Sequence, residues 1–467
     1  MTAARLVMPA IRWKPDSGFD HEAGPIEAAL RLGVGGFIVF GGTRDAVASL
    51  TARLRRDAGR PLLISADLER GAGQQVAGLT EIPPPAALAA LGGVEPARNA
   101  GHLTAAEARS VGINWLLGPV ADLDLAAENP IVQTRSFGAD PLQVADQVAA
   151  WIEGAHRGAA LVCVKHFPGH GRTTLDSHDR TPTVDASARE LDLADLVPFR
   201  AAIAAGTDAV MTCHVAFPAL DPSGLPATRS PAIIELLRTT LGFDGLVVTD
   251  ALIMEGFSPA AGAAAAARAS FRAGVDIMLY PPDLAATVAA LEAEAASPDG
   301  ARRIAAAIGR YERALARVED LGPPGPIDPA VAARMGGRLI ESAAPRVALR
   351  PPFELILADD DQDGAFPPSP NDHLATGLQA AGVPLGPGGS RILLAFAEPR
   401  ASKGRAGFGP RCRAIFEGPG RSADLVVLFG HPRLAPALPA GVPLLQAWHR
   451  QRLMQESVAA WLAGVMA

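Results

Sequence analysis

Residues 165–178 read KHFPGHGRTTLDSH and gather three histidines, a lysine and an aspartate in a chain that has ten histidines and three lysines. The segment is too rich in Gly, Pro and Thr to be core. Asp176 and His178 stand two apart on it. An aspartate so placed can orient an imidazole and support its protonated form, and histidine titrates near neutral pH, so the pair suits proton transfer. Lys165 and His166 follow LVCV, an apolar run of buried-strand type. Asp67 in SADLER, His214 in MTCHV and Asp250 in VVTDALIMEG also follow apolar runs. Two kinds of enzyme can be assembled from these parts. Lys165, His166, His214 and Asp250 superficially resemble the ligands of a metal-dependent barrel hydrolase, which calls for a further His-x-His pair on its first strand. This chain has MPAIRW there. The other assembly is a retaining glycosidase. One carboxylate attacks the anomeric carbon, and a second group protonates the leaving oxygen and later deprotonates water. That second group is usually a carboxylic acid; here His178, tuned by Asp176, would take its place.

These groups need strands to hold them. Short β-branched runs alternate with Ala/Leu/Arg stretches of helical period, the pattern of βα units and a parallel sheet. Strands are expected near 6–11, 35–40, 61–67, 113–120, 161–167, 208–215, 245–252 and 276–281. Their number, order and span fit an α/β fold, a (β/α)8 TIM-like barrel. Asp67, the stretch Pro119–Asp122, Lys165–His166, His214 and Asp250 all fall at or just past strand ends. In a parallel barrel those C-terminal ends share one face, where the βα loops build active sites. The stretch 300–340 is helical, with a Pro/Gly break in LGPPGPIDPA. A second alternation then gives strands near 353–359, 391–399, 424–432 and 442–448. The expected division is a catalytic barrel over 1–340 and a smaller α/β sandwich over 341–467. The Gly/Arg-rich loop PRASKGRAGFGPR is expected to be a solvated linker, unless it contributes to the first domain's cleft.

Hydrophobic residues make up 49% of the 467, ample for a sizeable core. A net charge of −7 gives no electrostatic reason to expect nucleic acid or an anionic membrane as partner. Three separated cysteines, Cys163, Cys213 and Cys412, offer neither a disulfide framework nor a zinc spacing. The start, MTAARLVMPAIRWKPD, lacks the apolar core of a signal peptide, and AAGAAAAARAS is too short to span a bilayer. A soluble, cytoplasmic protein is expected. The oligomeric state is not legible.

KHFPGHGRTTLDSH, TDALIMEG, NPIVQTRSFGADP and SADLER together resemble glycoside hydrolase family 3, in its bacterial β-N-acetylglucosaminidase branch. The resemblance spans about residues 5–340, and the rest resembles the sandwich of longer members. It implies that Asp250 is the catalytic nucleophile and His178 the acid/base, on a loop that must bring it over the anomeric carbon. Asp176 would be its orienting partner, and Asp67, Arg135, Lys165 and His166 would bind the hydroxyls of the first sugar. No cofactor or metal is implied; the partner would be a small carbohydrate or muropeptide. His170 and His214 are expected in structural hydrogen bonds. One departure concerns the stretch after Asp67, which reads LERGAGQQV. Gln75 stands where short members carry a second arginine, so either Arg70 approaches the sugar differently or that contact is lost. A neutral imidazole as acid/base would not repel an incoming anion, which leaves phosphorolysis beside hydrolysis. The same residues leave room for a broader β-glucosidase or xylosidase and for a non-catalytic sugar-binding protein.

Overall fold

The computed structural model describes residues 2–174, 182–254, 262–361, 369–399 and 403–465. The first extended run is Val7–Met8 (β1) and Ala10–Arg12 (β2), interrupted at Pro9, which has no N–H to give to a ladder. There follow β3 (Gly36–Phe40), β4 (Leu63–Ala66), β5 (Trp115–Leu116), β6 (Leu161–Phe167), β7 (Ala209–Thr212) and β8 (Leu246–Thr249). β2 to β8 form one parallel sheet in sequence order. β9 (Met278–Leu279) pairs in parallel with β1, and Ile277 just before it bridges Val248 of β8. The sheet therefore closes on itself, with β1 and β2 together as one stave of a (β/α)8 barrel. All seven residues of β6 are buried, as are all four of β4, β7 and β8. Burial on both faces is the signature of parallel strands covered by helices outside and by side chains inside.

The covering helices form for local reasons. In Pro141–Arg157, Asp140 caps the N-terminus by accepting from the N–H groups of Leu142 and Gln143, and Pro141 fits the first turn. Val144, Val148, Trp151, Ile152 and Ala155 form its buried stripe. A Cβ on Gly154 would lie 1.9 Å from the carbonyl oxygen of Arg98, so only glycine lets the helix Glu95–Ser110 approach so closely.

Contacts divide the chain into two compact units: Met1–Thr80, Ala97–Ala126 and Ser136–Ile327 make the first, and Glu81–Pro96, Ala127–Arg135 and Asp328–Ala467 the second. The two early segments of the second unit are tied in by polar bonds. Gln451 Nε2 donates to the Ile82 carbonyl at 2.6 Å, the Leu453 N–H to Glu81 at 2.9 Å, and Gln133 Nε2 to the Ala406 carbonyl at 2.9 Å.

The second unit holds a four-stranded parallel sheet in the order β10 (Glu354–Asp359), β11 (Arg391–Phe396), β12 (Leu425–Phe429) and β13 (Leu444–Gln446). Leu385 bridges Phe353 just before β10. Two apolar clusters cover the sheet. One joins Leu374, Leu378, Met454 and Val458 to Ile392, Leu394 and Val427; the other joins Phe408, Cys412 and Phe416 to Leu393 and Val426. This is an α/β sandwich. The described part of the Gly/Arg-rich loop between β11 and β12 is exposed at Gly404, Pro410 and Arg411 but is anchored at its start. The Lys403 side chain is 3% exposed and lies 2.9 Å from Asp361, which Arg405 also meets at 2.8 Å. Asp361 is itself buried, and two cations answer the cost of holding its charge there.

Candidate functional site

The residues of interest stand at the C-terminal ends of the barrel strands. Asp67 follows β4, Asp122 follows β5, Lys165 and His166 close β6, His214 follows β7 and Asp250 follows β8. Lys165 Nζ lies 2.6 Å from Asp67 Oδ1 and 2.8 Å from Glu69 Oε1. The Lys165 and Glu69 side chains are 3% and 4% exposed, whereas Asp67 keeps 29%. Asp250, half-buried, takes the Ala251 N–H on Oδ1 at 2.7 Å, and its own N–H donates to the Thr212 carbonyl at 3.2 Å. The strand end is thereby pinned to β7.

Cys163, on β6, is driven far above its ordinary pKa first by burial; Lys165 opposes the rise, and Asp67 and Asp250 add to it. His170 is buried too. Desolvation pulls its pKa down to about 4 against the opposing pull of Asp122, so the ring is neutral at ordinary pH. Its Nδ1 and Thr173 Oγ1 are 2.8 Å apart.

Asp122 organises the strand end from beneath. Fully buried, it accepts the backbone N–H of His166 at 3.2 Å and of His170 at 2.7 Å on Oδ1. Its Oδ2 lies 2.6 Å from His166 Nδ1. Burial disfavours its charge, but the His166 imidazole and, after it, His170 with its backbone N–H outweigh that, and its pKa lies below the ordinary carboxylate value. His214 is occupied on both nitrogens, with Thr228 Oγ1 at 2.9 Å and the Ala251 carbonyl at 3.3 Å. It thus braces the backbone next to Asp250.

Asp176 and His178 lie outside the described residues. The chain on either side of 175–181 is firmly held. Before it, Gly171 packs so tightly that a Cβ would stand 1.7 Å from the Leu123 oxygen, and Arg172 meets Asp195 at 2.9 Å. After it, the Val184 N–H donates to the Ala216 carbonyl at 2.9 Å. Arg135 ends a short 3-10 turn, Gln133–Arg135, that belongs to the second unit, and its guanidinium donates to the Ile131 carbonyl at 3.3 Å. Gln75 turns its side-chain oxygen to the Gly41 N–H at 3.0 Å, so that oxygen is spent on a loop contact.

The structure thus joins Asp67 to Lys165, sets His166 next to them and brings Asp250 to the same mouth. It adds two residues that sequence reasoning left without a role, Glu69 and Asp122. Each was visible only as an acid near a strand end; nothing in the spacing distinguishes a buried counter-ion from a solvated one.

The profile of the glycosyl hydrolase family 3 N-terminal domain matches residues 21–312. A beta-hexosaminidase from Tolumonas auensis is 37% identical over 272 residues, covering 56% of this chain and 79% of that protein. A beta-N-acetylglucosaminidase/beta-glucosidase from Cellulomonas fimi is 37% identical over 263 residues, which span 54% of this chain and about half (47%) of that protein. Among solved structures, a glycoside hydrolase family 3 beta-N-acetylglucosaminidase from Paenibacillus sp. str. FPU-7 superposes with a TM-score of 0.81 at 28% identity, covering 100% of this chain and 96% of that one.

Proposed function

The chain belongs to glycoside hydrolase family 3, and from that premise we propose that it is a retaining exo-β-N-acetylglucosaminidase. Asp250 attacks the anomeric carbon and forms a covalent glycosyl-aspartate. His178, oriented by Asp176, protonates the departing oxygen and then takes a proton from the water that releases the sugar. Asp67, Lys165 and His166 bind the hydroxyls of the terminal residue, and Arg135 is assigned to the same task. The observation that carries the reading is the Lys165–Asp67 ion pair at the C-terminal ends of the barrel strands, the end at which Asp250 follows β8. A charged carboxylate of which only one oxygen is engaged by the lysine is suited to grip a hydroxyl and to reject a sugar that lacks it. The substrate is a terminal β-linked N-acetylglucosamine, as in muropeptides, and the setting is cytoplasmic cell-wall recycling or amino-sugar catabolism.

The name of the Cellulomonas fimi relative favours a second activity on β-glucosides. A panel of nitrophenyl glycosides tests both readings, with and without phosphate. Release of N-acetylglucosamine with the β anomer formed first supports the proposal. Appearance of the α anomer first would remove the covalent intermediate, and no turnover of any N-acetylglucosaminide would remove the activity. Glucose-1-phosphate or its N-acetylamino analogue as product would replace hydrolysis by phosphorolysis.

A further inference from the structure

Behind the His166 ring lies a carboxylate to which the proposed mechanism gives no task. Asp122 is fully buried, and its Oδ2 is 2.6 Å from His166 Nδ1. Its other oxygen takes the backbone N–H of His166 and of His170, at 3.2 and 2.7 Å. An oxygen that already receives two donors from one strand end is fixed in place, and so is its twin. The His170 ring stands edge-on to that of His166 at 6.0 Å, closing another side. The neighbouring cation, Lys165, is held by Asp67 and Glu69. His166 Nε2 makes no hydrogen bond to any described residue, while its side chain keeps 7% exposure. The ring thus has one nitrogen committed to a buried anion and the other left for a ligand.

We propose that Asp122 is a positioning residue that holds the proton of His166 on Nδ1, so that the neutral ring presents Nε2 to the substrate as an acceptor. An anionic oxygen cannot donate, so the nitrogen facing it must carry the hydrogen; the tautomer is set by the bond at the other nitrogen. Nε2 then accepts a hydrogen bond from a sugar hydroxyl, and a substrate lacking that hydroxyl leaves the nitrogen without a donor. This rests on the reading of His166 as a sugar-binding residue.

Asp122→Asn separates the two duties of the carboxylate. The amide oxygen still serves both backbone donors, while its NH2 now faces Nδ1 and drives the ring proton to Nε2. Nitrogen NMR of His166 at alkaline pH is expected to show a protonated Nδ1 in the wild type and a protonated Nε2 in the variant. With an aryl N-acetylglucosaminide, KM should rise about tenfold or more while kcat changes less. Adding Asp122→Asn to His166→Ala should then change KM no further. Two results would overturn the proposal: an unchanged ring pattern in the variant, or an equal rise in KM in the His166→Ala background. Should the variant fail to fold, the wild-type spectrum decides alone, because a neutral His166 protonated on Nε2 contradicts the assignment. The spectrum needs no substrate, so its outcome stands apart from whether the protein hydrolyses N-acetylglucosaminides.

Discussion

Lys165 faces two carboxylates, and the difference between them decides what each can do. Glu69 is sealed beneath the ammonium at 4% exposure, whereas Asp67 keeps 29%. Glu69 neutralises the lysine from below, which leaves Asp67 a free oxygen toward the mouth. In Glu69→Gln the ammonium is expected to draw Asp67 to itself, raising KM about tenfold with kcat little altered. Steady-state kinetics decide this, and an unchanged KM would show that Asp67 does not depend on its neighbour. For the proposed nucleophile, Asp250→Ala should abolish turnover while the circular dichroism spectrum and melting temperature stay near those of the wild type. Turnover at the wild-type rate would remove Asp250 from the mechanism. For His178→Ala, glycosides with acidic phenol leaving groups should lose less rate in the first step than those with poor ones, since a good leaving group needs no proton. A loss that is uniform across leaving-group pKa would contradict the acid role.

At the scale of elements, the barrel strands are legible because parallel strands are short apolar runs bracketed by Gly and Pro, and β6 is the clearest case. Leu161–Phe167 is buried throughout, and the polar pair Lys165–His166 stands out against it. Less legible is whatever depends on a distant partner. The segment Glu81–Pro96 contains PPPAALAALGG, which reads as any short helix; Gln451 and Leu453, far along the chain, tie it to the second unit, and Ala87 packs in that unit's apolar core. Asp122 was visible as a strand-end acid, but its burial under the His166 ring depends on β5 and β6 lying side by side. Gly171 makes the same point in backbone terms. It is the stem of the segment leading to 175–181, and the Leu123 carbonyl lies where a Cβ would go. Gly171→Ala is therefore expected to shift that stem away from β5, at a cost of about 1–3 kcal/mol. A urea titration together with kcat would check it: both should fall, and an unperturbed variant would mean that the stem can yield without cost.

On the scale of the whole molecule, buried carboxylates make the two units respond differently to acid. In the first unit the effects oppose one another. Asp122 lies below its ordinary pKa, but burial raises Asp195 and Asp276 despite their arginine partners. A raised carboxylate weakens the fold at neutral pH and is relieved as pH falls, whereas a lowered one stabilises above its unfolded value and loses that contribution as it protonates. In the second unit Asp359 and Asp360 are both lowered. For Asp359 burial pushes upward, but the Arg450 guanidinium prevails, meeting the two carboxylate oxygens at 3.1 and 2.8 Å. Arg450 has 0% exposure and cannot turn to water if its partner is lost. Asp359→Asn should therefore cost about 3–5 kcal/mol at pH 7. That deficit relative to the wild type should shrink as pH drops below about 4, where the carboxylate of the unfolded chain begins to take up its proton, and should go on shrinking as pH falls through the lower value of the folded protein. Urea unfolding of both proteins at neutral and at acid pH measures the gap directly. A gap that stays constant across that range would mean that the charge of Asp359 contributes nothing to holding the second unit together.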